Sequence, residues 1–129
     1  MPDYDVRGAI TWLYYRDLHR AMMFYEDVMG FKLSVDQGWS KIYKVTESAY
    51  LGLVDGAKGY HKANNIKPVI FCINVKDADA WYEKLIAKGV TIKKKPQESE
   101  RLKIKVFMFK DPEGYIIEIQ QNLPGALSI

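Results

Sequence analysis

The chain of 129 residues has few of the side chains that cross-link a fold or hold a metal, with one cysteine, Cys72, and two histidines, His19 and His61. A single cysteine excludes an internal disulfide framework and favours a reducing, cytoplasmic setting. No apolar run approaches the roughly 18 residues that a membrane span needs. Residues 1–5 carry acid and precede no apolar stretch, unlike a signal peptide. We therefore expect no membrane partner.

A strong charge of one sign is also missing, since 19 Lys and Arg against 16 Asp and Glu leave a net charge of +3. The basic side chains concentrate around Pro96, where Glu98 and Glu100 interrupt them. They are Lys93, Lys94, Lys95, Arg101, Lys103 and Lys105. No recognised nucleic-acid-binding element accompanies this block, and such blocks usually face water. We interpret it as a solvated loop between strands and expect no nucleic-acid partner.

What the chain does contain is an internal repeat of about sixty residues. Residues 9–16 and 69–76 read as strands. Each is followed by an aspartate, Asp17 or Asp77, that is suited to the N-cap of an amphipathic helix. The helices end at Gly30 and Gly89, thirteen and twelve residues after their caps, and glycine is the usual residue after a helix C-terminus. The sequence therefore predicts two strand–helix units.

Three short strands follow each predicted helix, so the order βαβββ occurs twice. In the first copy they cover residues 31–35, 39–45 and 48–53, and in the second copy residues 90–94, 102–109 and 115–120. With 48% hydrophobic residues, the chain can bury a real core as one domain. We place the first module at 8–54, a linker at 55–67, the second module at 68–121 and a tail at 122–129.

The chain resembles the vicinal oxygen chelate superfamily, which includes glyoxalase I, bleomycin-resistance proteins and extradiol dioxygenases. In the first copy, the matching residues are Asp17-Leu18, Phe24-Tyr25 and Gly30-Phe31. In the second copy, they are Phe-x-Phe-x-Asp-Pro-Glu-Gly-Tyr at 107–115 and Ile117-Glu118-Ile119. The resemblance implies an α+β fold in which two βαβββ modules form a curved, cup-shaped mixed sheet around a cavity, with the helices outside.

The resemblance also indicates four positions at which metal-dependent members of the superfamily carry ligands. In this chain they are Ile10, Gly52, Ile70 and Glu118. Isoleucine has no lone pair and glycine has no side chain, so Glu118 alone remains, and one carboxylate does not hold a divalent ion tightly. We expect no metal or other cofactor, except a divalent ion held by non-standard ligands, and we expect open space above Gly52.

Strand alternation extends these positions to a predicted ligand-binding face. The resemblance implies that Val106 and Met108 belong to it through the register of their strand, and that Trp39 can stack on a ligand. The residues of this face are largely apolar and aromatic, as in sites for organic molecules. They are Trp12, Tyr14, Trp39, Tyr50, Asn74, Val106, Met108 and Gln120. His61 lies in the linker, where a loop can fold over the cavity, and Cys72 is interpreted as a small apolar filler.

Three functions remain open from the sequence. The leading prediction is a protein that binds a small, largely apolar or aromatic molecule without a metal, as bleomycin-resistance proteins do. The second is a lyase, isomerase or dioxygenase that uses Glu118 as a catalytic base or has a shifted metal site. The third is a non-enzymatic regulatory or partner-binding domain. Because open sheet edges invite a partner, we also expect a homodimer.

Overall fold

Two four-stranded mixed sheets make up the structure, a computed structural model that describes residues 1–129. They belong to two compact units, Met1–Asn64 and Asn65–Ile129, and the boundary between the units lies inside the predicted linker. Both units have the order βαβββ, which confirms the predicted α+β fold of two modules.

The first sheet has the strand order β1-β4-β3-β2. Strand β1 pairs with β4 in parallel, and the other neighbours are antiparallel. The elements are β1 (Ala9–Tyr15), α1 (Leu18–Met23), a π-helical turn (Phe24–Val28), β2 (Lys32–Asp36), β3 (Ser40–Lys44) and β4 (Ala49–Asp55).

The second sheet repeats this plan with the order β5-β8-β7-β6 and a parallel β5–β8 pair. Its elements are β5 (Ile70–Val75), α2 (Ala78–Ala87), β6 (Ile92–Ser99), β7 (Ile104–Lys110) and β8 (Ile116–Asn122). Neither helix of the chain is long and apolar enough to cross a membrane.

One face of each sheet is buried under its own helix, because alternate strand residues are large and apolar. In the first module, Leu13, Tyr15, Tyr43, Leu51 and Leu53 on the strands and Ala21, Tyr25 and Met29 on the helical segment are buried. In the second module, Phe107, Phe109, Ile117 and Ile119 on the strands and Ala78 and Leu85 on α2 are buried. The residues between them in sequence therefore point to the opposite face of each sheet.

The helix boundaries follow the predicted caps. Asp17 Oδ1 accepts a hydrogen bond from Arg20 N at 3.0 Å, and Asp77 Oδ1 accepts one from Ala80 N at 3.0 Å. Gly30 and Gly89 have φ angles of 74° and 76°, in the left-handed region that favours glycine after a helix. Each helix thus begins and ends at the predicted residues.

The first helix is not α-helical throughout, contrary to the prediction. After Met23 the backbone forms the π-helical turn, in which Met29 N donates to Phe24 O, five residues earlier, at 3.1 Å. The segment from Asp17 to Gly30 is one residue longer than the segment from Asp77 to Gly89. A π turn absorbs one extra residue without breaking the helix, so the two helices end on equivalent glycines despite their different lengths.

The lysine-rich block was predicted as a solvated loop, which holds for Arg101 and Lys103 in the turn but is wrong for Lys95, because the strand that was predicted to end at residue 94 is longer. Strand β6 continues through Lys93–Lys95 and Pro96 to Ser99 before the chain turns. Its register with β7 shifts twice, between Ile92 and Lys94 and between Lys94 and Gln97. Because β6 is an edge strand, a proline and exposed lysines are tolerated there and discourage pairing with another chain.

The turn before β8 depends on Asp111, a residue that is only 5% exposed. Its Oδ1 accepts hydrogen bonds from Glu113 N at 3.0 Å and from Tyr115 N at 2.9 Å. These bonds close the Asp-Pro-Glu-Gly turn and set the point at which β8 begins. The carboxylate therefore contributes to the placement of Glu118 on β8.

We expect Asp111→Ala to lower the free energy of unfolding by about 1–3 kcal/mol, because it leaves two backbone N–H groups without their acceptor. Urea unfolding followed by circular dichroism measures the loss. Asp111→Asn is the matched control, since its side-chain oxygen can accept the same bonds, and it should lose less than half as much. Equal losses in the two variants would contradict this role.

Candidate functional site

The face of the first sheet that α1 does not cover carries the aromatic residues that the sequence predicts as a ligand platform. On β1 it presents Ile10, Trp12 and Tyr14, which pair across the parallel ladder with Tyr50, Gly52 and Val54 on β4. Ile10 is 42% exposed and Trp12 is 37% exposed. Such large apolar side chains are accessible on a sheet whose other face is a packed core.

Gly52 lies directly under the indole of Trp12. A Cβ atom at position 52 would be 2.2 Å from Trp12 Cε3 and 2.5 Å from Trp12 Cζ3, much closer than atoms can approach. The expectation of open space above Gly52 is therefore wrong, because the indole fills that space. The absence of a side chain at 52 allows the ring to lie flat against the strand.

Residues after β4 border the other end of this face. His61 makes an edge-to-face contact with Tyr14, at 5.3 Å between ring centroids, and a second with Tyr60 at 4.8 Å. Gly59 lies so close to Val54 that an added Cβ would be 2.4 Å from its Cγ1. The loop thus packs on the tyrosine end of the face. Trp39 lies in the turn before β3, where its carbonyl oxygen accepts a hydrogen bond from Asp55 N at 2.8 Å.

The second sheet brings the remaining predicted residues together in two rows on the face that α2 leaves open. One row runs across the strands through Cys72, Glu118 and Met108. The next runs through Asn74, Gln120 and Val106. Ile70, at the degenerate ligand position, is 50% exposed on the same strand as Cys72.

A chain of amides continues this second face beyond the predicted residues. Asn74 Nδ2 donates to Asn122 Oδ1 at 3.0 Å, Asn122 Nδ2 donates to the Ile129 carbonyl oxygen, and Gln120 Nε2 donates to Ser128 Oγ. Residues 123–129 therefore reach the polar end of the face. The sequence predicts only a tail there, since nothing in its composition indicates where it packs.

Cys72 was predicted as a small apolar filler, but it is exposed on this face and is the most perturbed titratable group there. Its thiol lies 3.5 Å from Gln120 Oε1. Desolvation of the sulfur, together with a hydrogen bond to the Glu118 carboxylate and repulsion by its charge, raises the pKa of Cys72 to about 12. At neutral pH the side chain is a neutral thiol and hence neither a nucleophile nor a strong metal ligand.

The donor set does not fit a metal centre. Ile10 and Ile70 offer no donor atom, and the Trp12 ring covers Gly52. No group of three or more His, Cys, Asp or Glu side chains lies close enough together to hold an ion. Glu118 has a thiol and a methionine as cross-strand neighbours, so the residues around this carboxylate do not complete the coordination shell of a divalent ion.

Several known proteins are similar to this chain. The model of the Glyoxalase/Bleomycin resistance protein/Dioxygenase superfamily matches residues 8–119. The uncharacterized protein YraH of Bacillus subtilis is 26% identical over 117 residues, which cover 83% of this chain and 91% of that protein.

Solved structures show the same fold. TioX from Micromonospora sp. ML1 superposes with a TM-score of 0.76 at 20% identity, covering 90% of this chain and 98% of that chain. A lactoylglutathione lyase from Agrobacterium tumefaciens gives a TM-score of 0.72 at 20% identity, covering 94% of this chain and 96% of that chain. At such identities the likeness establishes the fold and not the activity.

The raised pKa predicts that Cys72 reacts slowly with iodoacetamide. A pKa of about 12 in place of 9.0 lowers the thiolate fraction at pH 8 about 1000-fold. The rate should rise tenfold for each unit of pH between 8 and 10, because the thiolate is the reacting form. Mass spectrometry of the alkylated protein measures this rate.

Glu118→Gln is the matched variant for this measurement. It removes the negative charge but keeps the side-chain length, so the pKa of Cys72 should fall and alkylation at pH 8 should become faster. Desolvation still holds the rate below that of a free cysteine. A wild-type rate equal to that of free cysteine would show that Glu118 and desolvation of the sulfur do not suppress the thiolate.

Proposed function

The chain belongs to the Glyoxalase/Bleomycin resistance protein/Dioxygenase superfamily, and from that premise we propose that it binds a small, largely apolar or aromatic molecule without a resident metal. The observation that carries the proposal is the indole of Trp12, which lies across Gly52 and is 37% exposed. An aromatic ring occupies a position where metal-dependent relatives carry a ligand.

The chemistry of the two open faces supports binding of an organic ligand. Aromatic rings offer broad apolar area with few rotatable bonds, and stacked or edge-to-face ring pairs are worth about 0.5–1.5 kcal/mol beyond the area they bury. Trp12 lies beside Ile10, Tyr14 and Tyr50. On the second sheet, Asn74, Glu118 and Gln120 lie beside the apolar Val106 and Met108. An apolar surface with a few polar groups is typical of small-molecule sites.

A homodimer is the second part of the proposal. Each sheet leaves large apolar side chains exposed on the face opposite its helix, including Ile10 at 42% and Ile70 at 50%. Large apolar side chains that are exposed on one face of a sheet are typical of an interaction site. A second copy of the chain that covers the Ile70 face would remove it from water and leave the Trp12 face open to the ligand, and closed pairs are the commonest assembly of soluble proteins. The free thiol of Cys72 fits the reducing conditions of the cytoplasm.

Tryptophan fluorescence tests the binding proposal, because the three tryptophans have different surroundings. Trp12 lies on the open face, Trp39 in a turn, and Trp81 on α2, where Lys84 Nζ lies 4.6 Å from its ring centroid. In a Trp39→Phe/Trp81→Phe variant only Trp12 emits. Titration with a panel of bicyclic aromatic compounds should quench or shift its emission in a saturable manner.

The matched control keeps only Trp81, through Trp12→Phe/Trp39→Phe, and its emission should not respond. Gly52→Ala in the Trp12-only background forces the indole away from the strand and should weaken binding at least about tenfold, the effect of losing about 1.4 kcal/mol. No response of Trp12 to any compound of the panel would refute the proposed function.

The dimer is tested by sedimentation velocity, in which the protein should have twice the mass of one chain. Ile70→Lys places a charge on the proposed interface and should shift the equilibrium to monomer by tenfold or more in dissociation constant, since an unpaired charge is costly to bury. Ile86→Lys on α2 is the control, because Ile86 is 49% exposed, almost the same as Ile70. A wild-type monomer would overturn this part of the proposal.

A further inference from the structure

Two lysines form a cross-strand pair on the open face of the first sheet. Lys32 on β2 pairs with Lys44 on β3, and Val35 pairs with Ile42 on the same side of the ladder. Like charges directly opposite each other across antiparallel strands destabilise a sheet. The pair is therefore unfavourable unless an anion lies nearby.

The acidic residues of the chain neutralise this pair only weakly. Lys44 Nζ lies 3.2 Å from Glu47 Oε1, but the Glu47 side chain is 94% exposed, and exposed ion pairs contribute little. Asp36, the acid on β2, pairs with Lys41 instead. Lys32 takes part in none of the ion pairs of the structure, so net positive charge remains at this end of the face.

A cavity with further hydrogen-bond donors adjoins the lysine pair. It has a volume of about 330 Å³ and is lined by Lys32, Leu33, Ser34 and Lys44. The register of β2 shifts between Leu33 and Val35, which leaves Ser34 without a partner across the ladder. The extra residue of such a bulge does not use its backbone N–H in the regular pattern. Two lysines and a serine thus line one small space.

This cavity lies within reach of the Trp12 platform. Lys44 is opposite Tyr50, two residues along β4 from Gly52, over which the indole lies. With about 4.8 Å between strands and about 6.8 Å along two residues, Gly52 and Lys44 are about 8 Å apart. Arg7 lines a neighbouring depression with Ile10 and Tyr50 and adds a further positive charge. A bicyclic molecule that stacks on Trp12 can therefore extend an acidic group to the lysines.

We infer that Lys32, Lys44 and Ser34 form a subsite for an oxyanion, and that the ligand is an aromatic acid whose carboxylate or phosphate binds there while its ring lies on Trp12. This inference rests on the proposed function for the ring and adds the chemical class of the ligand. The anion offsets the repulsion between the two ammonium groups and accepts charge-assisted hydrogen bonds from them.

The test compares two probes with the same ring system, the anionic naphthalene-2-carboxylate and the neutral 2-naphthalenemethanol, in the variant whose only tryptophan is Trp12. The carboxylate should bind at least about tenfold more tightly, as expected for a hydrogen bond to a charged group. Lys32→Met should reduce that preference to threefold or less without weakening the alcohol. Lys95→Met, which removes an exposed lysine of β6, is the control and should keep the preference.

A second measurement does not depend on the aromatic ring. Inorganic phosphate, compared with potassium chloride at the same ionic strength, should raise the thermal unfolding temperature of the wild type, because a ligand of the folded state stabilises it. Lys32→Met should abolish the rise. Glu47→Gln should enlarge it, since Glu47 competes with the anion for Lys44.

The outcomes separate the two proposals. Equal affinity for both probes, with no phosphate effect that depends on Lys32, overturns the anion subsite while leaving the proposed function intact. Failure of both probes to change Trp12 emission refutes the aromatic platform. In that case a phosphate effect that requires Lys32 supports the subsite alone, and its absence overturns the subsite as well.

Discussion

The packing of one helix against one face of a four-stranded sheet occurs twice in this chain, and the other features depend on it. Because successive strand residues point to opposite faces, the residues that build the core beneath the helix fix the direction of those between them. Leu13 and Tyr15 are fully or almost fully buried, and this orients Trp12 and Tyr14 toward the open face. The candidate binding surface is thus the reverse side of the core, and a shift of one residue in register would bury it.

Local signals in the sequence determine much of this architecture. The aspartate caps, the glycines after the helices and the alternation of apolar residues act over a few residues, so a single chain displays them, and the structure confirms the two βαβββ modules. The π turn and the length of β6 were not predictable in the same way. The extra residue between Asp17 and Gly30 is visible in the sequence, but the backbone that absorbs it depends on the packing of Tyr25 and Met29, both buried in the core.

The candidate site was predictable only as far as the faces of single strands. Alternation brings Ile10, Trp12 and Tyr14 to one side, and the resemblance indicates the degenerate ligand positions. Neither signal reveals that the indole covers Gly52. A glycine in a sequence shows that a side chain is absent, but it does not show which neighbouring group occupies the space. The cross-strand pairing of Lys32 with Lys44 was also not predictable from the sequence. It depends on the bulge at Ser34, which changes the register between β2 and β3.

The contact between Trp12 and Gly52 also constrains how this chain can change over evolutionary time. Any side chain larger than hydrogen at 52 collides with the ring, because even a Cβ would be 2.2 Å from it. A carboxylate fits at that position only after Trp12 has become smaller or rotated away, so the two substitutions are coupled and their order matters. A metal ligand introduced one residue at a time therefore passes through an intermediate that no longer has the exposed indole over position 52 and does not yet have the carboxylate.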